Sequence, residues 1–375
     1  MDIRQPTNQF PYDKYMEREG LQVHRSVIGV DDLTKLPRAP WKSTGGNATF
    51  VELEGTFQSQ RGIYVCEIPA GGQLKPEKHL YEEEVFILEG HGVTEVWQGS
   101  GSQKLTFEWS EGSVFALPRN TTHVLYNGSN RPALFMGVTT APEVMNSLKD
   151  IDFVFECDYD FVDLYANGGT YFSDAGSRTT EGRFDSVIWH TRMIADARRA
   201  LLDNLEQKVA GGQLTGYRMG PDFPHGHISQ WPCGRYHKAH YHGPGAILLG
   251  LDGEGYVLAW PSSLGPHPYQ DGHADKVGRV NWSRNSIYSP PNAYYHQHLN
   301  SGPTPAKHIA VYGAKHPMGV HNLQDGQEGF VGYVSFREGG TLIEYEDEDP
   351  RVRTDFEAEL AEKGITCTMP PVTYR

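Results

Sequence analysis

The chain contains the same unit twice, and this repetition limits what it can fold into more than any other feature. Residues 68–97 and 231–260 align at a constant offset of 163. The alignment pairs Pro69 with Pro232, Gly71 with Gly234, Lys75 with Lys238, His79 with His242, Gly90 with Gly253, Gly92 with Gly255 and Trp97 with Trp260. A second block repeats at an offset of 173, pairing Pro118 with Pro291, His123 with His296 and Asn127 with Asn300. The ten residues gained by the later copy fall in 261–280, a Pro, Gly, His and Asp-rich stretch that reads as a longer hairpin loop.

Each unit is all-β by pattern. Short apolar runs such as EVFILEG, GSVFALP, AILLGLDG and HIAVYGA alternate with Gly, Pro or Asn turns at near-regular spacing. A sandwich or small barrel follows for each copy. Helical spacing is confined to 197–212, where Leu201, Leu202, Leu205 and Val209 precede Gly211, and to 349–364. The turn-rich segment around 140–185 connects the units. The expected division is an N-terminal domain over 1–175 with an extended leading segment, and a C-terminal domain over 176–375 ending in a helix.

With 33 Lys and Arg against 47 Asp and Glu, the formal net charge is −14, and no local basic patch offsets it. A nucleic-acid backbone or an anionic membrane is therefore an unfavourable partner. Four scattered cysteines form neither a disulfide framework nor a CxxC knuckle, and the first thirty residues hold no apolar leader. A cytoplasmic location is expected. The outlying number is histidine: seventeen in all, twelve of them between His225 and His321.

The second copy reads Gly234-(x5)-His240-x-His242-(x3)-Ala246-(x6)-Gly253, then Asn285-(x5)-Pro291-x-Ala293-(x2)-His296-(x3)-Asn300. This spacing resembles both signature motifs of the cupin family. Residues two apart in a strand share a face, so His240 and His242 can aim two imidazoles at one point, and His296 on another strand would close the set. The resemblance implies two tandem jelly-roll barrels, with His240, His242 and His296 binding a divalent transition metal. Family members usually add a glutamate at the place held here by Ala246. Three neutral imidazoles leave the full double charge on the cation, which favours a chelating anionic substrate.

Around that set, His298 shares the face of His296 and is read as a further ligand or an outer donor. Lys238, in phase with His240 and His242, is a candidate partner for a substrate carboxylate. Of the tyrosines that bracket the ligands, Tyr295 is taken as a candidate acid, the rest as packing. His237, out of phase with the ligands, is expected to face outward. In the first copy the framework is kept, but Glu77 replaces the first histidine. Its His79, Glu83 and His123 form a two-histidine, one-carboxylate set, yet the altered motif favours a vacant, structural barrel.

Similarity to the three-histidine ferrous cupins of the gentisate dioxygenase type implies Fe(II) and O2. The implied reaction is cleavage of a carbon–carbon bond in a small aromatic or enolic anion. The alternative is a redox-silent Mn(II), Zn(II) or Ni(II) centre serving decarboxylation, isomerisation or hydrolysis of a polar metabolite. The family likeness also implies a homo-oligomer.

Overall fold

The computed structural model describes residues 10–99, 103–162, 164–165, 171–172, 176–180, 187–204, 209–220, 225–243, 246–312 and 334–375. Within them the fold is all-β, two tandem β-barrels with a few accessory helices. Each barrel sets a wide sheet against a three-stranded one.

In the N-terminal barrel the narrow sheet runs Thr122–Asn127, His91–Trp97, Leu105–Ser110. In the C-terminal barrel it runs Gly278–Trp282, Gly255–Pro261, Tyr294–Leu299. The repeated glycines have a steric reason at two pairs of positions. Gly90 and Gly253 turn the chain at φ +94° and +80°, where a side chain is strained. At Gly92 and Gly255 an added Cβ would lie 1.9 Å from the carbonyl oxygens of Tyr126 and Leu299 respectively. The ten-residue insertion forms the loop between Gly255–Pro261 and Gly278–Trp282, with short turns at Ser262–Leu264 and Ala274–Lys276.

The wide sheets pack back to back. Val51, Ile63, Val65, Phe86, Leu88 and Met136 of one meet Ile228, Ile247, Leu249, Ile309 and Val311 of the other in a single buried cluster. Strand alternation then sends the intervening side chains into each barrel. Thus in Ala306–Tyr312, Ile309 and Val311 face the neighbouring barrel, while His308 and Tyr312 line a cavity inside their own. The outer face of the C-terminal narrow sheet is covered by the helix Pro350–Glu362, whose Val352, Phe356 and Leu360 pack with Tyr256, Leu258, Trp260, Tyr295 and Leu299. The helix expected at 349–364 is therefore present, with Asp349 accepting from the Arg351 amide at its start.

Two expectations need correction. Residues 197–204 are not helical: Asp196 caps a single 3-10 turn, Ala197–Arg199, and Asp203–Asn204 then pairs as a strand with Gln213–Leu214. The leucine spacing there is coincidental, since Leu201 is exposed and Leu202 packs against the inter-barrel core. Residues 209–212 form a turn rather than a helix end, and residues 205–208 lie outside the described residues, as do His316 and His321. Nor is the division at 175/176 clean. Gly29–Val30 from the first half pairs with Ile287–Tyr288 of the second barrel, and Met193–Ile194 from the second half pairs with Val114–Phe115 of the first. Each exchanged strand leads into an Asp-capped 3-10 turn whose first amide bonds across: Leu33 to the Asn285 carbonyl, Ala197 to that of Gly112.

Candidate metal centres

His240 and His296 approach through their backbones, each amide bonding the other's carbonyl at 3.2 and 2.9 Å. A turn holding Ala293 at φ +56° delivers the His296 strand, as its counterpart Asn120, also at +56°, delivers His123. A non-glycine residue in that region carries backbone strain, here at the element that aims a ligand.

Ring centroids of His240, His242 and His296 lie 4.4–5.8 Å apart, and one nitrogen of each falls within 4.8 Å of the others. In all three, Nδ1 faces a backbone carbonyl: Lys238 at 3.2 Å, Gly243 at 2.7 Å and Tyr294 at 3.1 Å respectively. Such a bond fixes the neutral tautomer with the proton on Nδ1 and the lone pair on Nε2, the arrangement a metal-binding imidazole requires. The donor set therefore fits a divalent transition metal held by three neutral nitrogens. Ala246 lines the same cavity, so no carboxylate from residue 246 reaches the cation position.

That cavity has a volume of about 50 Å³. Its described walls hold seven histidines, the triad plus His227, His237, His298 and His308, along with Ser229, Gln213, Gln230 and Tyr312. No Asp, Glu, Lys or Arg is among its described lining residues.

The sequence-derived outer residues divide. His298 joins the cavity wall, its ring 5.6 Å from that of His296. Lys238 does not: its ammonium pairs with Glu344 and lies over the Tyr345 ring. Tyr295 faces the opposite side of its strand, against Trp260 and Tyr241 under the C-terminal helix, where burial pushes its phenol up to about 12. His237, expected outside, is buried, lines the cavity and meets the rings of His298 and Trp231. The Lys238 and His237 corrections share one cause. Residues 235–241 touch the neighbouring strand only through isolated bridges at Tyr236 and His240, so strict two-residue alternation does not apply between them.

In the N-terminal barrel His79, Glu83 and His123 also converge, each buried, with donor atoms within 4.8 Å. Here His79 and Glu83 satisfy each other, whereas His123 Nδ1 is buried without a hydrogen-bond partner. His79 Nε2 meets Glu83 at 2.9 Å, Tyr64 donates its hydroxyl to the same carboxylate, and Tyr81 stacks on the His79 ring at 3.6 Å. Burial works against a charge on His79, but the bonded Glu83 outweighs it and raises the imidazole pKa. Burial and the neighbouring His79 hold His123 down to about 4. Glu77 rises to about 7, chiefly through burial. The acid–base partner of His79 is thus a protein carboxylate, and a cation held by the set would have to displace the proton the two share.

Comparison with known proteins bears on the fold. Residues 36–155 match the cupin family model. The matched stretch is the N-terminal barrel, the copy whose first motif is altered. No curated protein matches the chain. Among solved structures, the oxalate decarboxylase formate complex of Lactobacillus farciminis is similar at 14% identity and a TM-score of 0.48, covering 76% of this chain and 86% of that one. A mutant of Bacillus subtilis oxalate decarboxylase follows at 12% identity and a TM-score of 0.47, covering 78% of each chain. A structure titled for the Mn(II) centers of that Bacillus enzyme stands at 13% identity and the same TM-score, again covering 78% of each chain. Likeness at these levels carries no weight for substrate or reaction. Among the described residues, no helix is long and apolar enough to cross a membrane.

Proposed function

We propose that this protein is a metal-dependent cupin enzyme whose centre is His240, His242 and His296. The reaction proposed is heterolytic, decarboxylation or proton transfer at carbon, on a small carboxylate bearing a second oxygen. The observation that carries the reading is the cavity: seven histidines and no charged side chain among its described walls. A cation bound by neutral ligands would supply Lewis acidity and draw an anion. The chain's own part is to orient that anion with neutral donors and to move protons through imidazoles.

A ferrous dioxygenase of the gentisate type remains the second reading, favoured by the three-imidazole set without a carboxylate.

Metal analysis of purified protein, followed by turnover of small 2-oxo, 2-hydroxy and dicarboxylic acids under argon and under air, separates the two. Product formed equally in argon with Mn(II), Zn(II) or Ni(II) supports the heterolytic reading. Strict dependence on Fe(II) and O2 replaces it with the dioxygenase. The N-terminal donor set is proposed to act as a structural core, giving one metal per chain. Assembly into a homo-oligomer belongs to the same proposal, and light scattering reads it.

A further inference from the structure

The turn that aims His296 is fastened differently from its counterpart in the first barrel. Residues 118–121 close with the Thr121 amide on the Pro118 carbonyl at 3.2 Å, and residues 291–294 close alike, with the Tyr294 amide on the Pro291 carbonyl at 3.2 Å. Each turn carries its third residue, Asn120 or Ala293, at φ +56°. Asparagine enters that region more readily than alanine. Asn120 is also tied down by its own half. Its backbone amide donates to the His79 carbonyl at 2.9 Å, and its side-chain amide donates to the carbonyls of Cys157 and Tyr159 at 3.0 and 2.7 Å. Ala293 has no side chain that could do the same.

The second turn is gripped by the opposite barrel. The short helix Glu54–Gln58 of the N-terminal half lies against it. The Gln58 side-chain carbonyl accepts the Asn292 amide at 2.6 Å, while its Nε2 donates to Glu54 at 2.9 Å and so fixes its direction. Gly55, buried three residues earlier, permits the approach: an added Cβ there would stand 2.5 Å from both the Pro290 carbonyl oxygen and Ser289 Oγ. The leading segment completes the grip. The Val27 carbonyl accepts the Glu54 amide at 3.3 Å, and the Ile28 carbonyl accepts the Ser289 amide at 2.8 Å. Residues 289, 290 and 292 thus each meet the N-terminal half, and the Ala293 carbonyl accepts the Ser262 amide of its own barrel at 2.9 Å. A strained residue persists where its surroundings over-determine it, and most of that determination comes here from the other barrel.

We infer that the helix Glu54–Gln58 is a clasp that holds the strained Ala293 turn and thereby sets the position of His296, which makes Gln58 and Gly55 positioning residues for the metal centre of the opposite barrel. The inference rests on the metal-centre reading above. Gln58 acts through Asn292 and Ala293, at the start of the strand Tyr294–Leu299. When the clasp opens, Ala293 relaxes toward an ordinary φ and the start of that strand shifts, two residues from His296. His240 and His242 come from a different segment, so the shift withdraws one ligand of the three.

The test uses the full chain, Co(II) as the probe metal, and the variants Gln58→Ala, Gly55→Ala, Ala293→Gly and the double variant Gln58→Ala with Ala293→Gly. Gln58 is exposed, so its alanine variant should fold normally. It should bind Co(II) about three- to tenfold more weakly, the change that one net hydrogen bond makes to an equilibrium, and shift the visible absorption of the bound ion. Gly55→Ala should do both more strongly. Ala293→Gly removes the strain, so in that background the loss from Gln58→Ala should shrink below about twofold. A metal-free readout runs beside these: in hydrogen exchange of the apo protein, Gln58→Ala should speed exchange of residues 290–299 about three- to tenfold. A wild type that binds no Co(II), with protection of 290–299 still lost in Gln58→Ala, overturns the metal centre and supports the clasp. In a wild type that binds Co(II), an unchanged affinity and spectrum in Gln58→Ala overturns the clasp, even where Tm or exchange changes. An equal loss in both backgrounds overturns it too.

Discussion

Glu84 gives the sharpest test of how the two barrels are joined. Its side chain is fully buried at the inter-barrel seam, one residue past the N-terminal donor Glu83. One carboxyl oxygen lies 2.9 Å from the Tyr217 hydroxyl, and the other is buried without a partner. Tyr217 Oη is also 3.1 Å from the Ala310 carbonyl. A phenol has one proton to give, so serving both contacts requires Glu84 to be the protonated donor in one of them. Burial pushes its pKa from 4.5 to about 8, with the Tyr217 bond pulling weakly the other way. The folded state thus holds a proton that the unfolded chain releases above its ordinary pKa. The stabilising contribution is complete below pH 4.5, declines as pH rises, and is gone above about 8. At 1.36 kcal/mol per unit, the decline between pH 5 and pH 8 is about 4 kcal/mol. Urea unfolding of the wild type and Glu84→Gln at pH 5, 6.5 and 8 isolates this group, because other titrations cancel in the difference. The glutamine variant should gain on the wild type by about 4 kcal/mol from pH 5 to pH 8. A difference that stays flat with pH would refute the proton count and leave Glu84 an ionised carboxylate.

The remaining predictions concern the centre itself. His242→Ala should abolish stoichiometric metal at the C-terminal site by elemental analysis while leaving the far-ultraviolet circular dichroism intact; retained metal and turnover would remove the site from His240, His242 and His296. Ala246→Glu places an anion where the cavity has none. It should tighten metal binding in a chelator competition and raise KM for an anionic substrate, and unchanged values would show that residue 246 does not face the cation. Gly255→Ala drives a Cβ to 1.9 Å from the Leu299 carbonyl on the strand carrying His296 and His298. It should lower Tm and metal affinity together, whereas a silent substitution would contradict the close packing of these strands. Elemental analysis of the wild type should return one metal per chain, and two would reopen the N-terminal set.

The sequence makes the repeat legible because each glycine and histidine in it answers a backbone or ligand demand that both barrels share. Gly92 and Gly255 pass under neighbouring carbonyls, Gly90 and Gly253 turn the hairpins, and His123 and His296 face their partners across equivalent bridges. The outer residues were not legible by the same rule. Lys238 and His237 were placed by two-residue alternation, which holds only where a regular ladder fixes the pleat, and residues 237–239 form none. Tyr295 was read by its nearness in sequence to His296, yet on a true strand adjacent residues take opposite faces, and the helix Pro350–Glu362 claims its side. His227 and His308 were hidden for a different reason. They lie outside both motifs, and only the register between their strands brings them to the cavity. The signal available was the density of histidines at alternating positions in His225–Trp231.

The exchanged strands were hidden as well, although the repeat extends to them. Val30 and Ile194, Asp32 and Asp196, and Leu33 and Ala197 all stand 164 apart, one residue out of step with the longer block, and each pair occupies the same place in the opposite barrel. Their meaning depends on a contact that neither copy makes with itself. Leu33 bonds Asn285 and Ala197 bonds Gly112, so each half completes the other's wide sheet. A duplicated barrel that merely packed against its twin could lose one centre without consequence for the other. Here the N-terminal barrel supplies an edge strand to the sheet that carries His308 and pairs with Tyr288 beside His298. The N-terminal unit can therefore dispense with its own metal and still be required for the chemistry of its neighbour, which is the physical reason to expect both halves to be needed for activity.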